Sequence, residues 1–161
     1  DKLMYGKPGT IVSGLTYTNS KGDTISLFAE RKKMVYLQFF AKWSTSSLAE
    51  MEMMVELKKK YGRYFDFVSI SIDENKGDFD SFLKKHSRFK WEFGWIGDDP
   101  TGLYKYRVIN LPLFYLFDSE GKIIIWPALW PSSGIEEYFY RFDKKKVQNK
   151  NKDYWNDRPK N

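Results

Sequence analysis

The residues best placed to do chemistry are Ser44 and Ser47, which stand three positions apart directly after Trp43. An apolar run at residues 35–40 ends just before them, and a helical pattern begins at the same place. This predicts a buried strand leading into a helix N-terminus, where free backbone N–H groups and the positive end of the helix dipole lie together. A thiol placed there would have a lowered pKa and be a good nucleophile. A serine hydroxyl at the same place caps the helix.

Nucleophilic catalysis by Ser44 would need a general base that is oriented within hydrogen-bond reach. The chain has one histidine, His86, on a lysine-flanked stretch that the sequence predicts to be a solvated helix surface. It has no cysteine, which excludes disulfides, thiolate metal sites and thiol catalysis in this chain. We therefore interpret Ser44 and Ser47 as capping residues and expect no hydrolase activity, no metal and no cofactor.

The elements that position these serines follow an α/β pattern. Apolar runs predict strands, and 3.6-residue periodicity predicts helices. The predicted strands are residues 34–40, 65–73, 113–117 and 122–126. The predicted helices are residues 44–61, 79–89, 100–106 and 132–142. The first two strands, joined by a helix, predict a parallel unit, and the last two predict an antiparallel hairpin. A turn at Gly22 and Asp23 predicts another hairpin before them. The aromatic stretch 91–96 is interpreted as a loop.

Several landmarks occur in an order and spacing that together resemble a known family. They are Trp43 with its spaced serines, Asp73 at a strand end, and the segment ending in Leu111 and Pro112. The chain resembles the thioredoxin-like superfamily, and its residues 39–43 and 48–51 resemble the extracytoplasmic TlpA/ResA branch, which is related to the AhpC/TSA families. This resemblance implies a thioredoxin fold, with a mixed central sheet flanked by helices and an N-terminal β-hairpin extension. It also implies a location in the periplasm or the cell envelope.

The resemblance also assigns the site. Ser44 and Ser47 occupy the two cysteine positions of the family motif, so no catalytic site is intact. Glu50 occupies the family's acidic position, and without thiols we interpret it as a surface glutamate of the first helical turns. Pro112 matches the family's cis-proline, whose loop faces the redox pair and offers backbone groups to an extended peptide. The residues that the resemblance implies for binding a protein or peptide partner are Trp43, Ser44, Leu111 and Pro112.

Two functions stay open at this point. The first is a protein- or peptide-binding module of the cell envelope that lacks redox cysteines. The alternative is a TlpA/ResA-type thiol–disulfide oxidoreductase whose two cysteines have been replaced by serine in this chain. Reactivity of a variant with cysteine at both positions would favour the second.

The net charge of +6 over 161 residues is concentrated at the C-terminus. Residues 144–161 hold seven Lys or Arg against two Asp, which gives +5. We predict one thioredoxin-like domain at 1–143 and a basic, flexible tail at 144–161, with contact to nucleic acid or anionic lipid as the less favoured reading. We expect no transmembrane segment and read no signal peptide in the first five residues. We interpret a set of aromatic residues as core or lid packing: Trp91, Phe93, Trp95, Trp126 and Trp130.

Overall fold

The structure is a computed structural model that describes residues 7–12, 14–97 and 110–156, the last four of these by their backbone alone. Its strands are β1 (Thr16–Thr18), β2 (Thr24–Ser26), β3 (Met34–Phe40), β4 (Phe65–Ser71), β5 (Glu92–Trp95), β6 (Leu113–Phe117) and β7 (Ile123–Ile125). Its helices are α1 (Thr45–Tyr61), α2 (Lys76–Lys85) and α3 (Ile135–Asn156), with a 3₁₀ turn at Pro131–Ser133. The predicted helix at 100–106 lies outside the described residues.

The described strands form one mixed sheet in the order β2-β1-β5-β4-β3-β6-β7. Strand β3 is central, parallel to β4 and antiparallel to β6, and β7 continues as the antiparallel hairpin partner of β6. Strands β1 and β2 form an antiparallel hairpin at the far edge. The predicted thioredoxin fold, with its parallel β3-α1-β4 unit and its N-terminal hairpin, is therefore confirmed.

The two faces of β3 contribute to two separate hydrophobic clusters because side chains alternate along a strand. Tyr36 and Phe40 pack with residues of α1, α2 and α3. Val35, Leu37 and Phe39 face the other cluster, which the N-terminal segment covers with residues such as Leu15 and Leu27. Both faces of the central strand are buried, which explains its nearly continuous apolar sequence.

The interpretation of residues 91–96 as a loop was wrong, because they contain strand β5. This strand pairs in parallel with β4, which supplies hydrogen-bond partners to its backbone. Trp91, Phe93 and Trp95 alternate onto the face that carries the helices. Gly94 faces the other way, where the ring of Tyr17 lies so close that a Cβ atom would be 2.1 Å from it.

Two helix boundaries also differ from the expectation. Helix α2 begins at Lys76 and ends at Lys85, rather than covering 79–89. Helix α3 continues to Asn156 instead of ending at Phe142, and residues 143–156 contain no glycine or proline that would end it. The flexibility of residues 144–161 stays a prediction. Among the described residues, no helix combines the length and apolarity needed to cross a membrane.

Candidate functional site

The two serines lie where β3 leads into α1, as predicted. Ser44 is the N-cap of α1, and its Oγ accepts a hydrogen bond from the Ser47 backbone N–H at 3.2 Å. The Ser47 hydroxyl also donates to the Ser44 Oγ, at 2.8 Å. Both side chains are buried. The capping interpretation is therefore confirmed for Ser44, while Ser47 acts as the partner of the cap.

A buried chain of hydrogen bonds connects this turn to the central strands β3 and β4. Gln38, on β3, is fully buried, and its Nε2 donates to the Ser47 carbonyl at 3.2 Å. Its Oε1 accepts from the Ser69 hydroxyl at 2.8 Å, and the Ser69 Oγ accepts from the Trp91 indole at 2.9 Å. Sequence reasoning missed this set, although a glutamine inside an apolar strand was a visible signal that a buried polar partner was needed.

The loop between β3 and α1 is fastened to the end of β4 by a buried carboxylate. Asp73 accepts hydrogen bonds from the Lys42 backbone N–H, at 3.0 and 3.2 Å to its two oxygens, and from the Ser71 hydroxyl at 2.7 Å. The Trp95 indole donates to the Asp73 carbonyl at 2.6 Å. The sequence marks Asp73 only by its place at a strand end, and the structure gives it this positioning role.

The predicted proline loop lies at the same edge of the sheet. The peptide bond between Leu111 and Pro112 is cis, as the resemblance implied. Leu113 pairs with Phe39 in the antiparallel β3-β6 register, so the two residues before it continue alongside the segment that leads to Trp43. Pro112 is buried and Leu111 is half-buried. The Trp43 side chain is 72% exposed.

Glu50 is not a surface residue, so that expectation was wrong. It is buried on the inner face of α1, and its carboxylate accepts hydrogen bonds from the Ser132 backbone N–H, at 2.9 Å, and from the Ser132 hydroxyl. The nearby Tyr36 hydroxyl donates to the Leu129 carbonyl at 2.6 Å. Burial, with the negative charge of Glu50, raises the pKa of Tyr36 well above its usual value. Glu50 thus ties α1 to the connector that precedes α3.

The serines have no catalytic base within the described parts of the chain. Their hydroxyls bond to each other, and no hydrogen bond joins either of them to a basic side chain. His86 directly follows α2 as its C-cap, and its half-buried ring packs against Phe82 and Phe89. Burial, and then the charges of Arg88 and Lys85, lower the pKa of His86. The described residues also contain no cluster of three or more His, Cys, Asp or Glu suited to a metal ion.

The aromatic residues near the site are packing elements, as interpreted. All five are half-buried rather than exposed. Four of them pack against the cluster under the helices, and the fifth, Trp126, packs against the cluster on the opposite face. They therefore do not form an exposed aromatic surface, and Trp43 is the tryptophan that projects into solvent among the described residues.

Comparison with known proteins agrees with this geometry. A family model described as thioredoxin-like matches residues 32–123. A thiol–disulfide oxidoreductase ResA from Bacillus thuringiensis subsp. konkukian is 30% identical over 129 residues, which cover 77% of this chain and 69% of that protein.

Solved structures give the same result. One from Bacteroides vulgatus, described as a thiol–disulfide oxidoreductase, has a TM-score of 0.66 and 32% identity, and the match covers 73% of this chain and 78% of that one. A C-terminal domain from Bacteroides thetaiotaomicron has a TM-score of 0.70 at 24% identity, over 90% and 96% of the two chains, and supports the fold. The chain therefore belongs to the thioredoxin-like family, among relatives of the ResA/TlpA type, and contains no cysteine.

Proposed function

We propose that this chain is a redox-inactive thioredoxin-like domain that binds an extended segment of a partner protein between Trp43-Ser44 and Leu111-Pro112. The observation that carries the proposal is the indole of Trp43, which is 72% exposed beside a turn held by hydrogen bonds to Ser44 and Asp73. We further propose, from the family resemblance, that it works in the periplasm or the cell envelope.

An exposed tryptophan on a fixed support is suited to binding. Aromatic anchors dominate the energetics of many interfaces because they bury a large area with little loss of side-chain entropy. Covering the exposed part of Trp43 would remove on the order of 100–150 Å² from water, which corresponds to about 3 kcal/mol. That contribution is large enough to anchor a peptide but needs neighbouring contacts to give useful affinity.

The proline loop could supply those contacts through its backbone. Leu111 lies just before β6, and no backbone hydrogen bond to another described residue engages its N–H or carbonyl group. An extended peptide laid along this segment would pair with these groups as an added strand does, while its side chains contact Trp43. The serine hydroxyls, bonded to each other, would form the floor between the two segments.

Affinity measurements on a selected peptide test the proposal. A random-peptide library would be panned on the wild-type chain, and the selected peptide measured against the double variant Trp43→Glu/Leu111→Glu. We expect its affinity to fall by at least about tenfold, because the exposed indole and the Leu111 side chain are both lost. Met53→Glu, at a 46% exposed position within α1 and outside the proposed binding edge, is the matched control and should leave affinity unchanged. Equal affinity for the wild type and the double variant would refute the proposal.

A second candidate is supported by the spacing of the two hydroxyls. Their oxygens lie 2.8 Å apart, so side chains at these positions already meet as a cysteine pair must. In the variant Ser44→Cys/Ser47→Cys, the thiolate at position 44 would attack a substrate disulfide, and the thiol at position 47 would resolve the mixed disulfide. Reduction of a model disulfide by this folded variant would favour the alternative, a thiol–disulfide oxidoreductase whose two cysteines have been replaced by serine in this chain. A folded variant without activity would reject it.

A further inference from the structure

We propose that a basic cleft at the other end of the sheet binds a phosphate group, carried by a lipid headgroup or by a soluble molecule. The cleft has a volume of about 300 Å³, and its lining includes Lys32, Lys33, Arg63, Tyr64, Asp118 and Lys146. This inference does not depend on the proposed function of the Trp43 edge.

The basic cleft is remote from the candidate site along the strands. Its wall includes Met34, the first residue of β3, and Tyr64, which immediately precedes β4. Asp118, which directly follows β6, lies on the same side. Trp43 and Ser44, in contrast, follow the last residue of β3, so a ligand in the cleft would leave the Trp43 edge open.

Three of the four cations of the cleft have no acidic partner within the part of the chain that the structure describes. Among the described residues, no carboxylate lies within 4.0 Å of the charged groups of Lys32, Arg63 or Lys146. The cationic group of Arg63 lies 5.8 Å from the ring centre of Tyr64, and that of Lys146 lies 5.4 Å from the ring centre of Phe142. Aromatic rings therefore hold two of these cations without neutralising them.

The remaining charges of the cleft are already engaged. Lys33 donates to the Gly62 carbonyl at 2.8 Å and lies 3.9 Å from Asp66, so it neutralises the carbonyl end of α1. Asp118 accepts hydrogen bonds from the backbone N–H groups of Glu120 and Lys122, both at 2.9 Å, within its own turn. The charge left for a ligand is therefore positive.

The wall of the cleft also holds an unsatisfied donor. The hydroxyl of Tyr64 is enclosed and has no hydrogen-bond partner among the described residues. A buried polar group without a partner is uncommon and costs free energy. Solvent does not reach this hydroxyl, so a ligand in the cleft would be held by the cations and not by this donor.

Phosphate is the anion that this donor set suits. A guanidinium binds phosphate oxygens through two parallel N–H groups, and ammonium groups add charge without fixed geometry. Helix α3 also carries Lys150 one turn after Lys146, both of them exposed, so the positive surface continues outward from the cleft. A phosphate on a larger molecule could therefore be held while the rest of that molecule stays in solvent.

Titration of the whole chain with inorganic phosphate, followed by the NMR amide signals, tests the proposal. We expect shifts at Lys32, Arg63 and Lys146, and a loss of affinity of about tenfold in Arg63→Gln/Lys146→Gln, which removes two charge-assisted contacts. The matched control, Lys84→Gln/Lys85→Gln, removes the same charge from the exposed end of α2 and should change affinity less than twofold.

Vesicles identify the source of the phosphate. A lipid headgroup is assigned if the wild-type chain sediments with phosphatidylcholine vesicles that contain phosphatidylglycerol but not with pure phosphatidylcholine vesicles. The variant Arg63→Gln/Lys146→Gln should then lose this sedimentation. Binding of inorganic phosphate without vesicle binding would assign a soluble phosphate. The proposal is overturned if phosphate causes no shifts in the cleft, or if the control variant weakens binding as much as the cleft variant does. The second result would show general attraction by a cationic chain.

Discussion

Replacing Ser44 with alanine should destabilise the fold, although the serine performs no chemistry in this account. Ser44 is 7% exposed, and its Oγ accepts two hydrogen bonds, from the backbone N–H and the hydroxyl of Ser47. Ser44→Ala removes the acceptor for both. The perturbation therefore acts on the helix cap and on a buried hydroxyl at once.

The two losses can be given magnitudes. Removing a serine N-cap costs about 1 kcal/mol. The Ser47 hydroxyl is 1% exposed and would lose its partner, which costs roughly 1–3 kcal/mol. We expect Ser44→Ala to lower the free energy of unfolding by about 2–3 kcal/mol, or the melting temperature by roughly 5–10 °C for a chain of this size. The double variant Ser44→Ala/Ser47→Ala should lose only about 1 kcal/mol, because no hydroxyl is left unpaired.

Urea unfolding of the three chains measures these differences at constant m-value. Ser46→Ala is the matched control, because Ser46 is exposed in the first turn of α1 and should be close to neutral. The reasoning is refuted if Ser44→Ala is no more destabilising than Ser46→Ala. It is also refuted if the double variant is less stable than Ser44→Ala alone. That result would show that an unpaired Ser47 hydroxyl does not account for the cost of Ser44→Ala.

Three further outcomes follow from the same contacts. Ser44→Cys/Ser47→Cys should form an intramolecular disulfide under mild oxidation, and free-thiol titration that still finds both thiols would contradict the observed geometry. Glu50→Ala should cost about 2–3 kcal/mol in urea unfolding because it leaves the Ser132 donors without their acceptor, whereas an effect below about 0.5 kcal/mol would mean that the connector is not held there. The lowered pKa of His86 means that the unfolded chain takes up its proton more readily, so stability should fall as the pH drops through 6.5. His86→Gln should remove the loss of stability that protonation of the imidazole causes. An NMR titration that places the imidazole pKa above 6.5 in the folded chain would contradict this prediction.

Much of the fold could be predicted from local patterns. Nearby residues specify the apolar run of β3, the cap at Ser44 and the turn after Phe117. Strand β3, helix α1 and the β6-β7 hairpin therefore lie where they were expected. Strand β5 could not be predicted in this way. It is four residues long, contains Gly94, and is stabilised by pairing with β4 and by the close approach of Tyr17, which are tertiary contacts.

The candidate site was only partly predictable. Its positions followed from spacing, but the buried face of α1 includes Ser47 and Glu50, so a hydrophobic stripe did not describe that face. The partners that bury Glu50 and Gln38 come from distant parts of the chain, and a single sequence does not show which polar groups will meet.

The central claim is that a partner segment binds along the Trp43 and Leu111 edge. NMR mapping of a library-selected peptide on the wild-type chain tests this most directly. The account predicts that the largest amide shifts fall at residues 41–46 and 110–113, with the Trp43 indole signal among them. Shifts confined to other surfaces, with these two segments unchanged at saturation, would contradict it.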